Sequence, residues 1–168
     1  MIETEHLILR PLTYEQLVKY SNLDYSLEEE LNLEKSPRSI TPELREALDC
    51  GIIPNVADEQ QNYLFSTLWT VILKENNKMI GDLCFKGEPN IDGEIEIGYG
   101  TYFEFRRKGY MTEAIDGMLK WAKMQPEVLK VLASTEKNNI SSQRILESNN
   151  FSKIGKADSI INWEFKLK

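Results

Sequence analysis

The plainest chemistry in the chain lies in Arg106-Arg107-Lys108-Gly109, a basic run placed just before a segment whose apolar residues fall at helical steps. The first amides of a helix have no acceptor within it, and aligned peptide dipoles favour negative charge there, so this turn is a cradle for a phosphorylated ligand. Gly109 alone would read as an ordinary helix-start glycine; its basic neighbours turn the reading toward an anion. Just upstream, Glu94 and Glu96 alternate with Ile95 and Ile97 and so share one face of a strand. His6 is the only histidine, with no evident base or metal partner, and reads as a strand-edge residue. Cys50 and Cys84 are the only cysteines. Together they exclude a histidine cluster and argue against a thiolate zinc site or a disulfide framework, so no metal is expected.

The elements that must position these residues follow from periodicity. Glu94 to Tyr99 alternates as a half-buried strand, whereas Met111, Ala114, Ile115, Met118, Leu119 and Ala122 recur at three- and four-residue steps and predict an amphipathic helix lying on a sheet. Thr112 and Glu113 fit the early helix through terminal hydrogen bonding and an acidic first turn. His6 to Arg10 reads as a first strand ended by Pro11, and a helix across about residues 13 to 21 takes Thr13 as its cap. Tyr25 to Leu33, Pro42 to Asp49 and Asp58 to Phe65 read as further short helices before the strands Leu68 to Leu73 and Met79 to Phe85, with a bend or bulge near Gly81. The acidic run Glu28-Glu29-Glu30 reads first as a solvated face and second as an attractor of cations. Tyr20 and Tyr25 read first as core and second as pocket walls. Val128 to Ala133 predicts another strand, Asn139 to Asn149 a short helix feeding a strand, and Ile160 to Phe165 the last strand. No repeat or boundary divides residues 1–168, so one domain is expected, a mixed α/β fold with helices on the faces of one sheet.

A chain of 168 residues can bury roughly 68 to 70% of the surface it exposes when unfolded. Twenty Lys plus Arg against 27 Asp plus Glu give a net charge of -7, which argues against direct nucleic-acid binding, where affinity rests on neutralising phosphates. The opening MIETEHLILR shows no basic leader followed by a long apolar run, so a cytoplasmic protein without membrane attachment is expected.

Arg106-Arg107-Lys108-Gly109-Tyr110-Met111-Thr112-Glu113-Ala114 resembles the pyrophosphate-binding segment of the GNAT acetyltransferases, whose pattern is Gln or Arg, two residues, Gly, one residue, then Gly or Ala. Glu96-Ile97-Gly98-Tyr99 and Thr112-Glu113-Ala114 resemble the branch that contains the ribosomal-protein N-terminal acetyltransferases, as does the opening strand. Asn139 to Phe151 resembles that family's Asn-x-x-Ser segment and the Gly-Phe-like end that follows it. The resemblance covers Glu3 to Phe151. Arg107 stands where glycine is common, Met111 takes a usual small-residue position, and Asn150 replaces the usual Gly before Phe151.

The resemblance implies a GNAT-like fold, with a central, mostly antiparallel twisted sheet of about six or seven strands, and acetyl-coenzyme A as co-substrate. Arg106, Arg107, Lys108, Gly109, Tyr110 and Met111 would bind its pyrophosphate; Asn139 and Ser142 would sit near its acyl and pantetheine end. The helices between the first two strands would form a substrate-side cap. The implied reaction transfers an acetyl group to an amine of a small molecule or peptide. It needs a base for the amine and a donor for the developing oxyanion. Glu96 is the candidate base, directly or through water, with Glu94 as alternative, and a strand amide near Gly98 to Gly100 is the candidate oxyanion donor. Relatives carry a late-helix tyrosine as acid where this chain has Leu146, which leaves Ser142 to assist the departing thiol or only to cap and bind. A monomer or weak homodimer is expected. The alternatives are a noncatalytic acyl-coenzyme A module and a protein-interaction domain.

Overall fold

The computed structural model describes residues 1–168. In chain order the elements are β1 (Ile2–Glu3), β2 (Leu7–Pro11), α1 (Tyr14–Asn22), α2 (Ser26–Leu31), α3 (Pro42–Ala47), α4 (Ile53–Ala57), β3 (Trp69–Leu73), β4 (Lys78–Phe85), β5 (Glu94–Thr101), α5 (Tyr110–Lys123), β6 (Lys130–Glu136), α6 (Ile140–Ser148), β7 (Ser152–Ala157) and β8 (Ile160–Lys166). They form an eight-stranded sheet in the order β1-β2-β3-β4-β5-β6-β8-β7. Every neighbouring pair is antiparallel except β5 with β6. The strand beyond the expected seven is the two-residue β1. The bulge expected near Gly81 is present: Val71 pairs with Gly81 but Ile72 with Met79, so Ile80 is the extra residue.

Alternation divides the core between the two faces. On one face Leu9, Val71, Leu83, Ile95 and Ile97 meet Met111, Ala114, Ile115, Met118 and Ala122 of α5. Each such fully buried aliphatic side chain is worth roughly 1.5 to 3 kcal/mol. The helix comes close to the β1–β2 corner because residue 117 is glycine, where a Cβ would stand 2.9 Å from Thr4 Cγ2. On the other face Leu12, Leu17, Tyr20, Leu27 and Leu48 from the α1–α4 cap cover Leu68, Ile72 and Met79. That cap covers β3 and the start of β4 and leaves most of β5 open. No helix is long and apolar enough to cross a membrane.

Local chemistry explains most boundaries in the cap. Thr13 and Gln16 form a reciprocal capping box at α1, with side-chain-to-amide bonds of 3.3 and 3.1 Å. Between α3 and α4 the backbone widens into a π-helical turn over Leu48–Ile52 just before Pro54. A proline ring clashes with the carbonyl four residues earlier and has no N–H to donate, which a wider turn accommodates. The helix expected over Asp58 to Phe65 is absent: helix ends at Ala57 and only a single tight turn follows, over Tyr63–Phe65. Asp58 accepts from the Gln60 amide and Asn62 from the Leu64 amide, and these local bonds compete with the helical ones. The acidic run of α2 is neutralised from within, Glu28 by buried Arg38, Glu29 by Lys35 at 2.7 Å and Glu30 by Lys19 at 2.6 Å. Glu29 and Glu30 lie on the exposed face as expected, whereas Glu28 is buried.

Glu113 does more than favour the start of α5. Its carboxylate accepts from Thr4 Oγ1 at 2.5 Å and the His6 amide at 2.8 Å and meets His6 Nδ1 at 2.9 Å, stapling the β1–β2 turn to the helix. Burial alone would push this carboxyl up, but the bonds from Thr4 and His6 outweigh it and hold the pKa below its ordinary value. A carboxyl with a depressed folded-state pKa stabilises above its unfolded value, about 4.5, and that stability is lost as the pH falls through the folded value. Glu113→Gln is therefore expected to unfold more easily than the parent at pH 7, by roughly 1 to 2 kcal/mol, with the gap closing toward pH 3. Urea titrations at the two pH values check this, and an equal gap at both would show that the charge is immaterial.

Candidate active site

β5 pairs with β6 only through Glu94 to Glu96, opposite Lys130 to Leu132. Past that point β5 stays with β4 as far as Thr101, opposite Gly81, while β6 stays with β8 as far as Glu136, opposite Ile160. The sheet therefore forks at Glu96. The bonds Lys86 N to Glu96 O and Tyr102 N to Ile80 O, both 2.9 Å, show which β5 residues face β4. Alternation then turns the amides of Ile97 and Tyr99 away from β4: that of Ile97 closes the short ladder with β6 at Leu132, and the Tyr99 amide points into the fork, where β6 has already left. Of the strand amides near Gly98 to Gly100, that of Tyr99 is the one turned into the fork, because the glycine amides point back to β4.

At the open end of β5 the chain passes through a tight turn, Phe103–Phe105, to Arg106. Arg106 Nε donates to Thr101 O at 3.0 Å and its guanidinium leans over the Phe103 ring at 5.6 Å, while Lys108 leans over Phe105 at 5.5 Å. Arg107 has φ 62° and Gly109 has φ 83°, two left-handed residues around one that is not. Successive amides of such an alternation converge into an anion-binding nest. No backbone N–H from Arg107 to Thr112 finds an acceptor within the protein, and α5 has no side-chain cap. Arg106, Arg107, Lys108 and Gly109 are all exposed. Tyr110 packs partly against the core, and Met111 is buried beneath Gly81. The Met111 side chain therefore belongs to the core, which leaves only its amide for a ligand.

The other side of the fork is the start of α6. Asn139 caps this helix, its Oδ1 accepting from the Ser142 amide and the Ser141 hydroxyl, each at 3.1 Å. The Ser142 hydroxyl meets the Tyr99 hydroxyl at 2.7 Å, so one phenol spans the fork from β5 to α6. Burial raises the Tyr99 pKa and the bond to Ser142 partly offsets it, which keeps the phenol protonated at neutral pH. Leu146 is fully buried in the core. Sequence reasoning did not single out the Tyr99 hydroxyl, since alternation places Tyr99 with Ile95 and Ile97 on the buried face; the available signal was its place at the end of Glu96-Ile97-Gly98-Tyr99.

Glu96 sits at the vertex of the fork, its Oε1 2.6 Å from Lys86 Nζ. Glu94 is tied to Lys130 at 2.9 Å and to Asn90 at 3.2 Å, and the Lys130 bond, followed by Asn90, holds its carboxyl below the usual range. Beyond Glu96, Gly98 and Gly100 leave the cap-side face of β5 bare, and a Cβ at Gly100 would meet nothing within 4 Å. Opposite Gly100 lies Asp82, a buried carboxylate whose Oδ2 accepts from Tyr20 at 2.7 Å and Tyr102 at 3.0 Å. Burial pushes Asp82 up to about 6, against the opposing hydrogen bonds. The cysteines take no part: Cys50 is exposed and burial pushes Cys84 up to about 11. One groove, about 640 Å³, runs along the outside of α5 from Gly109 to Phe165 and contains neither Glu96 nor Ser142. It borders the anion turn without being the fork.

The left-handed backbone at residues 107 and 150 explains why glycine would be at home in both places, since Asn150 has φ 61°. An L-residue in this conformation costs about 1 to 2 kcal/mol, less for Asn. Arg107→Gly is expected to raise stability by up to about 1 kcal/mol, part of the relief being offset by glycine's greater unfolded freedom, and Arg107→Val to lower it. Chemical denaturation of the pair measures this. A glycine variant no more stable than the valine one would mean that the turn carries no backbone strain.

Residues 6–152 match the family described as acetyltransferase (GNAT) domain. The chain is 34% identical over 100 residues to the uncharacterized N-acetyltransferase YjdG of Bacillus subtilis (strain 168), covering 60% of each chain. It is 28% identical over 87 residues to the uncharacterized N-acetyltransferase p20 of Bacillus licheniformis, 52% of this chain and 49% of that one. These matches span about half to three fifths of the curated relatives' lengths. Among solved structures, the ribosomal-protein-S5-alanine acetyltransferase from Vibrio fischeri superposes with a TM-score of 0.68 at 19% identity, covering 98% of this chain and 95% of that one. RimL, a ribosomal L7/L12 alpha-N-protein acetyltransferase in complex with coenzyme A, gives 0.68 at 16% identity, covering 97% and 95%. The structural likeness shows the fold, and the match over residues 6–152 shows that the chain belongs to the GNAT acetyltransferase domain family.

Proposed function

We propose that this protein is an acetyl-coenzyme A-dependent N-acetyltransferase acting on a primary amine, that of a small molecule or of a protein or peptide N-terminus. The observation that carries the reading is the fork: the Tyr99 amide, turned away from β4 beyond the last β6 pairing, lies between an uncapped basic helix terminus and the Tyr99–Ser142 hydroxyl pair. The ribosomal-protein substrates named for the Vibrio fischeri and RimL structures support including an N-terminus in the acceptor class.

Acetyl-coenzyme A supplies an acetyl group activated as a thioester. The amides from Arg107 to Thr112, with the charges of Arg106, Arg107 and Lys108, hold its pyrophosphate. The Tyr99 amide donates to the thioester oxygen as negative charge develops there. Glu96 accepts the proton of the acceptor amine, directly or through water, on the oxygen that Lys86 leaves free. As the new C–N bond forms and the C–S bond breaks, Ser142 passes a proton to the sulfur and recovers one from Tyr99. The noncatalytic reading finds its support in the lysine already paired with Glu96 and in Leu146.

Calorimetric titration with acetyl-coenzyme A is expected to show saturable binding that weakens as salt is raised, because exposed charges contribute and are screened. A folded protein that takes up no acetyl-coenzyme A would end both the catalytic and the noncatalytic readings.

A panel of amines and peptides, read by thiol release and product mass, identifies the acceptor. With it in hand, Glu96→Gln is expected to keep acetyl-coenzyme A affinity and lower kcat/KM for the amine by about 10² or more. Equal turnover by the two proteins across the pH range would remove Glu96 from the chemistry.

A further inference from the structure

Five polar side chains from five parts of the fold meet beneath the cap. Tyr20 comes from α1, Glu28 from α2, Arg38 from the segment after α2, Asp82 from β4, and Tyr102 from the first residue past β5. Arg38 pairs with Glu28, both side chains almost wholly buried. The guanidinium also lies 4.9 Å from the centre of the Tyr20 ring and donates to Tyr20 O at 3.2 Å. The two phenols then converge on a single atom, Asp82 Oδ2, while Oδ1 has no partner. A buried carboxylate with one bare oxygen is costly, and replacing it by an apolar group of similar shape would often stabilise. The mechanism above does not use it.

The two phenols come from opposite sides of the proposed reaction. Tyr20 belongs to the helix that roofs the acceptor side. Tyr102 begins the turn that continues through Phe103–Phe105 to the basic residues and the free amides, and its own amide is fixed to Ile80 O. Each is rooted in its own element, and on the cap-facing side of the sheet one carboxylate oxygen joins them. We propose that Asp82 is a positioning residue that ties the acceptor-side cap to the coenzyme turn, so that filling the turn orders α1 over the acceptor face. This inference rests on the coenzyme reading given above. Ordering of one segment by a ligand bound to another is a coupling free energy between sites, and here the shared carboxylate carries it.

The test is amide hydrogen exchange across Tyr14–Asn22, with and without saturating coenzyme A. In the parent, coenzyme A is expected to slow exchange in this helix about fivefold or more. In Asp82→Asn, coenzyme A is expected to bind with little change in affinity and to leave α1 exchange unaltered. Tyr102→Phe removes the turn's hydroxyl while keeping Asp82 and Tyr20, and so gives the same answer if the asparagine variant does not fold. The groups facing the carboxylate are Tyr20 from α1, Tyr102 from the turn, Thr70 from β3, Cys84 on β4, and Arg38 with Glu28 behind it. Asp82 is the one that takes up a proton at about pH 6, so the protection in the parent is expected to fade below that pH. A merely structural role would instead give faster exchange throughout the variants, with or without coenzyme A. Protection of α1 that is absent in the parent, or that survives in both variants, overturns the proposal while leaving the coenzyme site standing. Failure of the parent to bind coenzyme A removes the coenzyme reading itself, and the coupling with it.

Discussion

The structure depends on one parallel pairing inside an otherwise antiparallel sheet. β5 and β6 share hydrogen bonds over only three residues each, Glu94 to Glu96 and Lys130 to Leu132. Each is then claimed by its outer neighbour, β5 by β4 and β6 by β8, along the rest of its length. Adjacent strands in a sheet rotate relative to one another, so two half-sheets anchored on their far sides diverge once the shared ladder stops. The fork is thus a consequence of pairing commitments elsewhere, and it exposes strand amides that a closed sheet would have satisfied. The α5 terminus and the α6 cap then supply unpaired amides and hydroxyls at its two margins.

The site retains local costs that a sequence chosen for stability alone would shed. Arg107 holds a left-handed backbone where glycine would be relaxed, and in return places a cation beside a run of free amides. Asp82 stays charged at neutral pH in spite of burial. With a folded pKa of about 6 against 3.8 unfolded, its contribution to stability is greatest below pH 4 and is lost as the pH rises through 6. At neutral pH the carboxylate therefore opposes folding, offset by the rest of the core. Costs of this kind collect where function constrains the backbone or the charge.

Much of the fold was legible in the sequence because its signals were periodic. The alternation through Glu94 to Tyr99 and the helical spacing from Met111 to Ala122 each put one face on a core, and the structure places those faces there. Thr13 marked the start of α1, which it caps, while the return bond from Gln16 appears only in the structure. The helix misplaced onto Asp58 to Phe65 failed because Asp58 and Asn62 offer side-chain oxygens to nearby amides, which the apolar spacing of that segment does not record. Glu28 looked like part of a solvated acidic face. Its partner Arg38 is ten residues away across a turn, and no local pattern marks the pair as buried. The exposed basic turn before α5 was legible from residue types alone, whereas the fork was not, since where two strands stop pairing depends on their other neighbours.

The hydroxyls at the fork show why a single position is not enough to read a site. The family resemblance implies a phenol on the late helix, where this chain has Leu146. Leu146 is in the core, yet a phenol still reaches the start of α6, from β5: the Tyr99 hydroxyl crosses the fork and meets Ser142 at 2.7 Å. Tyr99 shares its strand face with Ile95 and Ile97, and a tyrosine there would ordinarily be buried with its hydroxyl satisfied by the core. It escapes that fate because β6 has left by residue 99, so the ring packs on the core side while its hydroxyl emerges into the gap. A hydroxyl pair held by two different elements fixes both orientations, which a lone serine at a helix terminus would not. The same parting of the strands that frees the Tyr99 amide therefore also brings its phenol to Ser142.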